Sequence, residues 1–273
     1  MLLKILKNIF YNCYVIYKFA RRFILNYEGF SYSFEKNGEK HLLDALSGIN
    51  INTVFDIGAN VGDWTEFVIK KFNKAKIHSF EISKTSFSVL KKKYQNNNQV
   101  FINNFGLSNK KGLLQYKDYG KNSQINSIIT EGNFHDQKIT PILVNTLVET
   151  GDNYCKNNDI KEIDLLKIDV EGAEHLVLDG FSNLLANGVI KIIQFEYGYL
   201  NADSKFLMKD FYRLFDKYGY VLGPLKPNGV IFMDFSYGLN NFNSGPNYVA
   251  VHKSCNAIIE KVKGKSIRGF PSV

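Results

Sequence analysis

The chain has 273 residues, 45% of them hydrophobic and 22% charged, so it can bury a sizeable core and wholesale disorder is excluded. Its 34 basic and 26 acidic residues leave a net charge of +8, which suits nucleic acid, an anionic membrane or an acidic glycan as a partner. Cys13, Cys155 and Cys255 are far apart and form no CxxC pair. This spacing excludes a disulfide framework and a zinc cluster, and it predicts a reducing, cytoplasmic compartment.

Residues 1–27 are predicted to form a basic amphipathic helix. Five basic residues and no acid lie within residues 1–25: Lys4, Lys7, Lys18, Arg21 and Arg22. At about 3.6 residues per turn they share one sector of the helix, and apolar side chains cover the opposite side. The longest charge-free run is about half of the ~20 residues that a spanning helix needs. Two interpretations stay open: a helix lying in a membrane interface, or a helix packed on the domain with a solvated basic face.

A regular alternation of strands and helices follows a helical lead-in over residues 28–50. Buried strands and amphipathic helices alternate, with strands predicted over 52–58, 75–83 and 99–108 and helices over 63–72 and 86–97. Two further strands flank a polar loop that contains His135, and they are predicted over 112–120 and 139–149.

The second half of the chain repeats the alternation. Buried strands are predicted over 163–170 and 190–198, helices over 171–188 and 206–220, and short strands over 221–252. The main domain is therefore placed at residues 51–255, with a C-terminal tail over 256–273. This order predicts an α/β fold with a doubly wound, mostly parallel sheet, an extra β-rich insertion and an N-terminal helix.

The stretch VFDIGANVGDWT, residues 54–65, has the pattern of a ligand-binding turn. Gly58 and Gly62 allow a tight turn and close approach of a ligand, and Glu81 ends the next strand, where an acid can accept hydrogen bonds from ribose hydroxyls. NAD and S-adenosylmethionine both suit this arrangement. The spacing is GxxxG rather than GxGxxG, and Asp56 would repel a pyrophosphate but suits a cationic amino group, which favours S-adenosylmethionine.

A second motif, LLKIDVEGAEH at residues 165–175, delivers acids to the same edge of the predicted sheet. Asp169 and Glu171 alternate with apolar neighbours, so a ligand, a cation or a helix cap must satisfy them. Glu174 suits ordinary chemistry at a helix N-terminus, favourable against the helix dipole. His175 by itself is more typical of a surface or packing histidine than of a catalytic one.

Four stretches, VFDIGANVGDWT, FGLSNKKG, LLKIDVEGAEHLVLDG and IIQFEYG, together resemble the FkbM family of S-adenosylmethionine-dependent methyltransferases. The resemblance runs over roughly residues 52–252. It implies a class I methyltransferase (Rossmann-like) fold, S-adenosylmethionine as the cofactor, and methyl transfer to a hydroxyl oxygen of a sugar, glycan or other small natural product. The N-terminal helix lies outside the resemblance, and the acceptor is not fixed by it.

The resemblance also implies roles for individual residues. Asp56, Gly58 and Gly62 match the methionine-binding turn of the family, and Glu81 matches its ribose-binding acid. Asp169 and Glu171 match the block beside the reacting centre. The full set predicted to bind the cofactor is Asp56, Gly58, Ala59, Asn60, Gly62, Glu81, Asn104 and Asp169.

A sugar hydroxyl is a poor nucleophile, so a base or a metal is expected to help remove its proton. Glu171 is the first candidate for the base, followed by Asp169 and His175, and His135 is a weaker one. A divalent cation held by Asp169, Glu171 and Glu196 would suit carboxylate ligands. No metal is predicted, because one of these acids is expected to face the amino group of the cofactor.

Three alternatives are weighed against this prediction. An NAD-dependent short-chain reductase would need a Tyr-x-x-x-Lys pair beyond the glycine turn, and that spacing occurs only at Tyr14/Lys18 and Tyr32/Lys36, before the turn. A nucleic-acid methyltransferase is disfavoured because the chain has no Pro-Pro pair and no cysteine after a proline. A membrane-anchored binding protein with a degenerate cofactor site is the third. The expected partners are a small-molecule or glycan acceptor and, through residues 1–25, the inner face of a membrane, with no nucleic acid.

Overall fold

The computed structural model describes residues 2–27, 30–119, 140–242 and 245–264, and within the first of these ranges it describes the side chains of residues 13–25. Its helices are α1 Leu2–Tyr27, α2 Glu39–Ala45, α3 Asp63–Lys71, α4 Lys84–Tyr94, α5 Gly151–Asn157, α6 Glu174–Asp179, α7 Ser182–Ala186, α8 Leu200–Asp203, α9 Met208–Lys217 and α10 Asn256–Val262. Its strands are β1 Thr53–Ile57, β2 Lys76–Phe80, β3 Val100–Asn103, β4 Gly106–Leu107, β5 Gly112–Asp118, β6 Ile142–Glu149, β7 Ile163–Ile168, β8 Ile190–Glu196, β9 Tyr220–Lys226, β10 Gly229–Val230 and β11 Asn247–His252.

The central sheet has eight strands in the order β10-β9-β11-β8-β7-β1-β2-β3. Strands β3, β2, β1, β7 and β8 are parallel, whereas β11 is antiparallel to both β8 and β9. Strand β7 is buried along its whole length, as expected for a parallel strand covered on both faces. The predicted α/β fold with a mostly parallel sheet is confirmed.

Two hydrophobic cores lie on the two faces of this sheet. Successive residues of β1 alternate between them, because Val54 packs into one core and Phe55 into the other. Helices α2, α3, α4 and α10 cover the Val54 face, and helices α5, α6, α7 and α9 cover the Phe55 face. The sheet is therefore doubly wound, and the carboxyl ends of its parallel strands form one shared edge.

A three-stranded sheet, in the order β4-β6-β5, forms the predicted β-rich insertion. Strands β5 and β6 pair antiparallel, from Gly112 opposite Val148 to Asp118 opposite Ile142. The loop predicted to connect them, with His135, lies outside the described residues.

One predicted helix was wrong in its extent. Residues 171–188 form two short helices, α6 and α7, which are separated at Gly180 and Phe181. A Cβ at Gly180 would lie 2.1 Å from the carbonyl oxygen of Ser108, and the Phe181 ring is fully buried. Packing against the neighbouring loop and the core therefore interrupts the helix, and this long-range contact leaves no local mark in the sequence.

Helix α1 presents both of its faces to solvent over the residues whose side chains are described. Every side chain from Cys13 to Ile24 is exposed, including Ile16 at 66% and Phe19 at 74%. The interpretation in which the helix packs on the domain is thus not found over this stretch. Among the described residues, no helix combines the length and apolar character needed to cross a lipid bilayer.

The close contact between the ends of β1 and β7 leads to a first prediction. Gly58 has φ of 85°, and a Cβ there would lie 1.8 Å from the carbonyl oxygen of Asp169. We expect Gly58→Ala to lower the free energy of unfolding by at least about 1 kcal/mol, since backbone strain and a backbone clash add. Urea unfolding without cofactor measures this loss.

The matched control is Gly112→Ala, because a Cβ at Gly112 meets no atom within 4 Å. This variant is expected to unfold like the wild-type protein. Coincident unfolding curves for the two variants would contradict the packing described for Gly58.

Candidate active site

A cavity of about 470 Å³ opens at the carboxyl ends of β1, β2, β7 and β8. This is the edge where open parallel sheets bind ligands, and the volume falls in the range of small-molecule sites. Predicted site residues that line it are Gly58, Asn60, Glu81, Asp169 and Glu171. The remaining predicted residues lie behind or beside its wall.

The glycine turn after β1 is built by backbone hydrogen bonds to the neighbouring strand. The amides of Gly58 and Ala59 donate to the carbonyl oxygen of Phe80 at the end of β2, at 3.0 and 2.9 Å. Asn60 has a left-handed backbone, with φ of 49°, and its side-chain Oδ1 is buried without a hydrogen-bond partner among the described residues. The turn therefore brings main-chain atoms close to the cavity, and it presents Asn60 Oδ1 as a polar atom without a hydrogen-bond partner among the described residues.

Gly62 has a different task from the one predicted for it. Its φ is 84°, and a Cβ there would lie 2.6 Å from both Leu90 and Tyr94 of helix α4. The Tyr94 hydroxyl also donates to the Gly62 carbonyl oxygen, at 2.7 Å. Gly62 thus lets α3 begin against α4, and like Ala59 it supports the turn without lining the cavity.

Glu81 lies on the cavity wall at the end of β2 and is only 7% exposed. Its Oε2 accepts a hydrogen bond from the Asn60 amide at 2.8 Å, and its Oε1 accepts one from the Ser83 amide at 2.6 Å. Burial raises the pKa of Glu81 to about 7, and these two amides oppose the rise. Each oxygen keeps capacity for a further donor, which suits a pair of ribose hydroxyls.

Asn104 contributes to the site indirectly. Its Nδ2 donates to the carbonyl oxygen of Glu81 at 2.8 Å, and its side chain does not line the cavity. The predicted cofactor contact of Asn104 is therefore replaced in the structure by support for the Glu81 backbone.

Asp56 is fully buried behind the cavity wall. Its Oδ2 accepts a hydrogen bond from Thr65 Oγ1 at 2.6 Å, and burial raises its pKa, whereas Lys167 and Thr65 oppose the rise. Lys167 is buried as well, and its Nζ donates to Asp169 Oδ2 at 2.7 Å. The direct contact predicted between Asp56 and a cationic amino group does not fit this position, whereas Asp169 does line the cavity.

The turn after β7 presents Glu171 to the cavity. Glu171 and Gly172 both have left-handed backbones, with φ of 56° and 96°. Glu174 holds this turn, because its Oε1 accepts hydrogen bonds from the amides of Val170 and Gly172, at 3.2 and 3.1 Å, and its Oε2 accepts one from Asn201 Nδ2 at 3.1 Å. The helix-terminus role expected for Glu174 agrees with these bonds.

Glu171 and Glu196 form an acidic pair in the cavity. Burial raises the pKa of Glu171 well above its usual value, and the charges of Asp169 and Glu174 add to this. Burial likewise raises the pKa of Glu196, and Asp169 and Glu171 contribute. Since like charges in a buried site resist joint ionisation, these carboxyl groups hold protons at higher pH than free glutamate does.

His175 lies beside the cavity rather than on its wall. Its ring stacks on Phe206 with centroids 4.8 Å apart, and burial lowers its pKa. The geometry thus keeps His175 away from a reacting hydroxyl, and His135 lies outside the described residues. Among the described residues, no three His, Cys, Asp or Glu side chains are arranged to hold a metal ion, and Asp169, Glu171 and Glu196 do not form such a group.

Part of the wall comes from the lead-in, which the sequence did not mark as functional. Tyr32, Asn37 and Glu39 line the cavity opposite the glycine turn. Glu39 accepts hydrogen bonds from Asn37 Nδ2 and Gln194 Nε2, both at 2.6 Å. Glu39 opens a short helix without a recognisable motif, so no sequence signal could have placed it here.

Known proteins give the context for this geometry. The chain matches the Methyltransferase FkbM domain over residues 56–222. No curated protein matches the sequence. Among solved structures, the chain is similar to methyltransferase FkbM from Methylobacillus flagellatus KT, with a TM-score of 0.44 and 13% identity over 76% of this chain and 46% of that one. It thus spans less than half of that protein.

A second similar structure is the TehB-like SAM-dependent methyltransferase from Corynebacterium glutamicum ATCC 13032 Kitasato. Its TM-score is 0.39, with 14% identity over 86% of this chain and 95% of that one.

The residues of the cavity fit the cofactor of this family. Gly58 brings the backbone close, Asn60 Oδ1 offers an unpaired acceptor for an amino group, and Glu81 offers two acceptors for a ribose. Leu107 and Val148 add an apolar surface of the kind that an adenine ring needs. Because the family match covers more than half of the chain and includes both acidic motifs, this protein belongs to the FkbM family of methyltransferases, with S-adenosylmethionine as its cofactor.

Proposed function

We propose that the protein transfers a methyl group from S-adenosylmethionine to a hydroxyl oxygen of a sugar or glycan, or of a related small natural product. The observation that carries the proposal is the position of Glu171, which lies on the cavity wall with its pKa raised by burial and by neighbouring acids. A carboxylate of this kind is a stronger base than free glutamate and is suited to take a proton from a hydroxyl group.

The bound cofactor would supply an electrophilic methyl group, and the chain would supply positioning and a base. Glu171 would accept the hydroxyl proton as the acceptor oxygen bonds to the methyl carbon and the carbon–sulfur bond breaks, which would leave S-adenosylhomocysteine. Asp169, fixed by its 2.7 Å hydrogen bond from Lys167, would stay at the turn side of the cavity. Holding the reactants in line contributes much of the rate in such displacements.

The lining beyond the cofactor turn supports a polyhydroxylated acceptor. Asn247 brings a side-chain amide to the wall, whereas the amides of Asn37 and Asn201 are already bonded to protein groups. Tyr32 and Tyr199 are exposed aromatic rings that also line the wall. Amides bond both the donor and the acceptor side of a hydroxyl, and rings can cover the apolar face of a sugar.

The methyltransferase family match replaces the NAD-dependent reductase considered from the sequence. A binding protein with a degenerate site is disfavoured by the placement of Glu81, Asp169 and Glu171 together in one cavity.

The base assignment leads to a prediction for Glu171→Gln. The variant should bind S-adenosylmethionine as the wild type does, because Glu171 is assigned to the acceptor. Its turnover should fall about 10²–10⁴-fold, the usual loss when a general base is removed. Calorimetry measures the binding, and formation of S-adenosylhomocysteine with glycan fractions measures turnover.

The control for this comparison is Glu260→Gln, an exposed acid on helix α10, which should leave both measurements unchanged. Loss of cofactor binding in Glu171→Gln would make Glu171 a cofactor contact instead of the base.

The raised pKa of Glu81 predicts that cofactor affinity depends on pH. Ribose hydroxyls bond best to the ionised carboxylate, so binding lowers the pKa of Glu81 from about 7 and releases a proton. Affinity should therefore rise as pH increases through 7, by up to about tenfold between pH 6 and pH 8. Titration calorimetry with S-adenosylhomocysteine at both values measures it.

Glu81→Gln separates this effect from the titration of the cofactor itself. The variant should bind more weakly at pH 8 and should lose the rise in affinity that depends on Glu81. Equal affinity of the wild type and Glu81→Gln at pH 8 would remove the ribose assignment.

We also propose that residues 1–25 contact an anionic membrane surface. The sequence supplies five basic residues and no acid in this segment, and the exposed side chains of α1 include apolar residues on the opposite side. Basic amphipathic helices bind interfaces through buried apolar area plus attraction to anionic lipids.

The membrane proposal predicts flotation with vesicles that contain anionic lipid. Replacing Lys4, Lys7, Lys18, Arg21 and Arg22 by glutamine should abolish flotation, whereas replacing the exposed Lys91 and Lys92 of α4 should not. Equal flotation of all three proteins would exclude α1 as the membrane contact.

A further inference from the structure

The cavity has a second wall beyond the cofactor turn. Three separate segments build it: the lead-in with Tyr32 and Glu39, the end of β8 and the turn after it with Glu196 and Tyr199, and the start of β11 with Asn247. In the sheet, Glu196 at the end of β8 is in register with Asn247 at the start of β11. This wall faces the space that remains for an acceptor once the turn side of the cavity is filled.

The lining of the cavity is acidic. It contains Glu39, Glu81, Asp169, Glu171, Glu174 and Glu196, and no lysine or arginine of the described residues lines it. Lys167 lies behind the wall and is paired with Asp169. The field in the cavity therefore favours positive groups and opposes negative ones.

Most of these acids already have a task. Glu174 holds the turn after β7, and Glu39 holds Asn37 and Gln194. Glu81 accepts two backbone amides on the ribose side. Asp169 is fixed by Lys167, and Glu171 is assigned as the base. Glu196 is therefore the acid of the lining that has no assigned task.

Glu196 is partly buried on the cavity wall, and its carboxyl group makes no hydrogen bond or ion pair within the described part of the chain. A partly buried carboxyl group without a partner is poorly solvated, so a ligand group that bonds to it would be bound favourably. An ammonium group would provide both a donor and a compensating charge.

Tyr32 places an aromatic ring next to this group. Tyr32 lines the same cavity as Glu171 and Glu196, and burial together with the charges of these two carboxyl groups raises the pKa of its hydroxyl. The Tyr199 ring packs on Phe242 at 5.0 Å and is 57% exposed. The two tyrosines therefore offer ring surface at the entrance to the acidic wall.

Building on the proposed function, we propose that Glu196 sets acceptor specificity by binding the ammonium group of an amino sugar. The acid-lined wall then accepts amino sugars best, neutral sugars less well, and sugars bearing phosphate or carboxylate least. The acceptor hydroxyl that reacts at Glu171 is close to that ammonium group.

The test uses methyl glycosides of glucosamine, N-acetylglucosamine and glucuronic acid with the full-length protein. Binding is measured by calorimetry in the presence of S-adenosylhomocysteine, and turnover is measured with S-adenosylmethionine. The amine should bind at least about tenfold more tightly than the neutral sugar, which corresponds to about 1.4 kcal/mol, and the anion should bind more weakly still.

Glu196→Gln should remove the preference for the amine and change the affinity of the neutral sugar less than threefold, so its effect falls on KM rather than kcat. Glu196→Lys should reverse the order and favour glucuronic acid. Cofactor affinity serves as the check that both variants fold, and Glu260→Gln should keep the order of the wild type.

The other possible results of the sugar-binding and turnover measurements each contradict either the role of Glu196 or the proposed methylation. Binding of the anion as tightly as the amine, or no binding of any of the three sugars, overturns the role of Glu196. Binding in the expected order with no methylation of any bound sugar leaves the charge selection standing and overturns the proposed hydroxyl methylation.

Discussion

A single buried ammonium group organises the acidic edge of the sheet. Burial by itself would lower the pKa of Lys167, but the charges of Asp169, Asp56 and Glu39 outweigh this effect and raise it above the usual value. These carboxylates come from β1, from the turn after β7 and from the lead-in, so one cation links three parts of the chain. Without it, the buried Asp56 and Glu39 and the partly exposed Asp169 would lose a compensating positive charge, which is costly for buried carboxylates. The shape of the cavity depends on this charge balance.

The acids at this edge of the sheet differ in how they are held in place. Glu81 and Glu174 are held by backbone amides, Asp56 by a hydroxyl, and Asp169 by Lys167, so their orientations are fixed before any ligand arrives. Burial and the charges of neighbouring acids also raise the pKa of Glu171 and the pKa of Glu196 well above the usual value for a glutamate. Fixed acids are suited to binding, and acids with raised pKa are suited to proton transfer or to an incoming cation. One sheet edge can thereby hold a cofactor and activate an acceptor.

The sequence predicted the fold well because the signals for it are local. Alternating buried strands and amphipathic helices are visible residue by residue, and strand order then brings the ends of β1, β2 and β7 to one edge. That rule placed Gly58, Glu81, Asp169 and Glu171 correctly at the cavity. It could not tell which acid faces the ligand, so Asp56 was expected in the cavity and lies behind it. Glu39 and Tyr32 were missed because only the tertiary fold brings the lead-in across the cavity, and the break at Gly180 follows from a contact with Ser108.

The most direct test of this arrangement of acids is a crystal structure of the protein with S-adenosylhomocysteine bound. We expect both ribose hydroxyls on Glu81, the amino group near Asn60 and Asp169, and the sulfur atom facing Glu171 across the space left for an acceptor. A ribose bound away from Glu81, or a sulfur atom separated from Glu171 by the cavity wall, would contradict it.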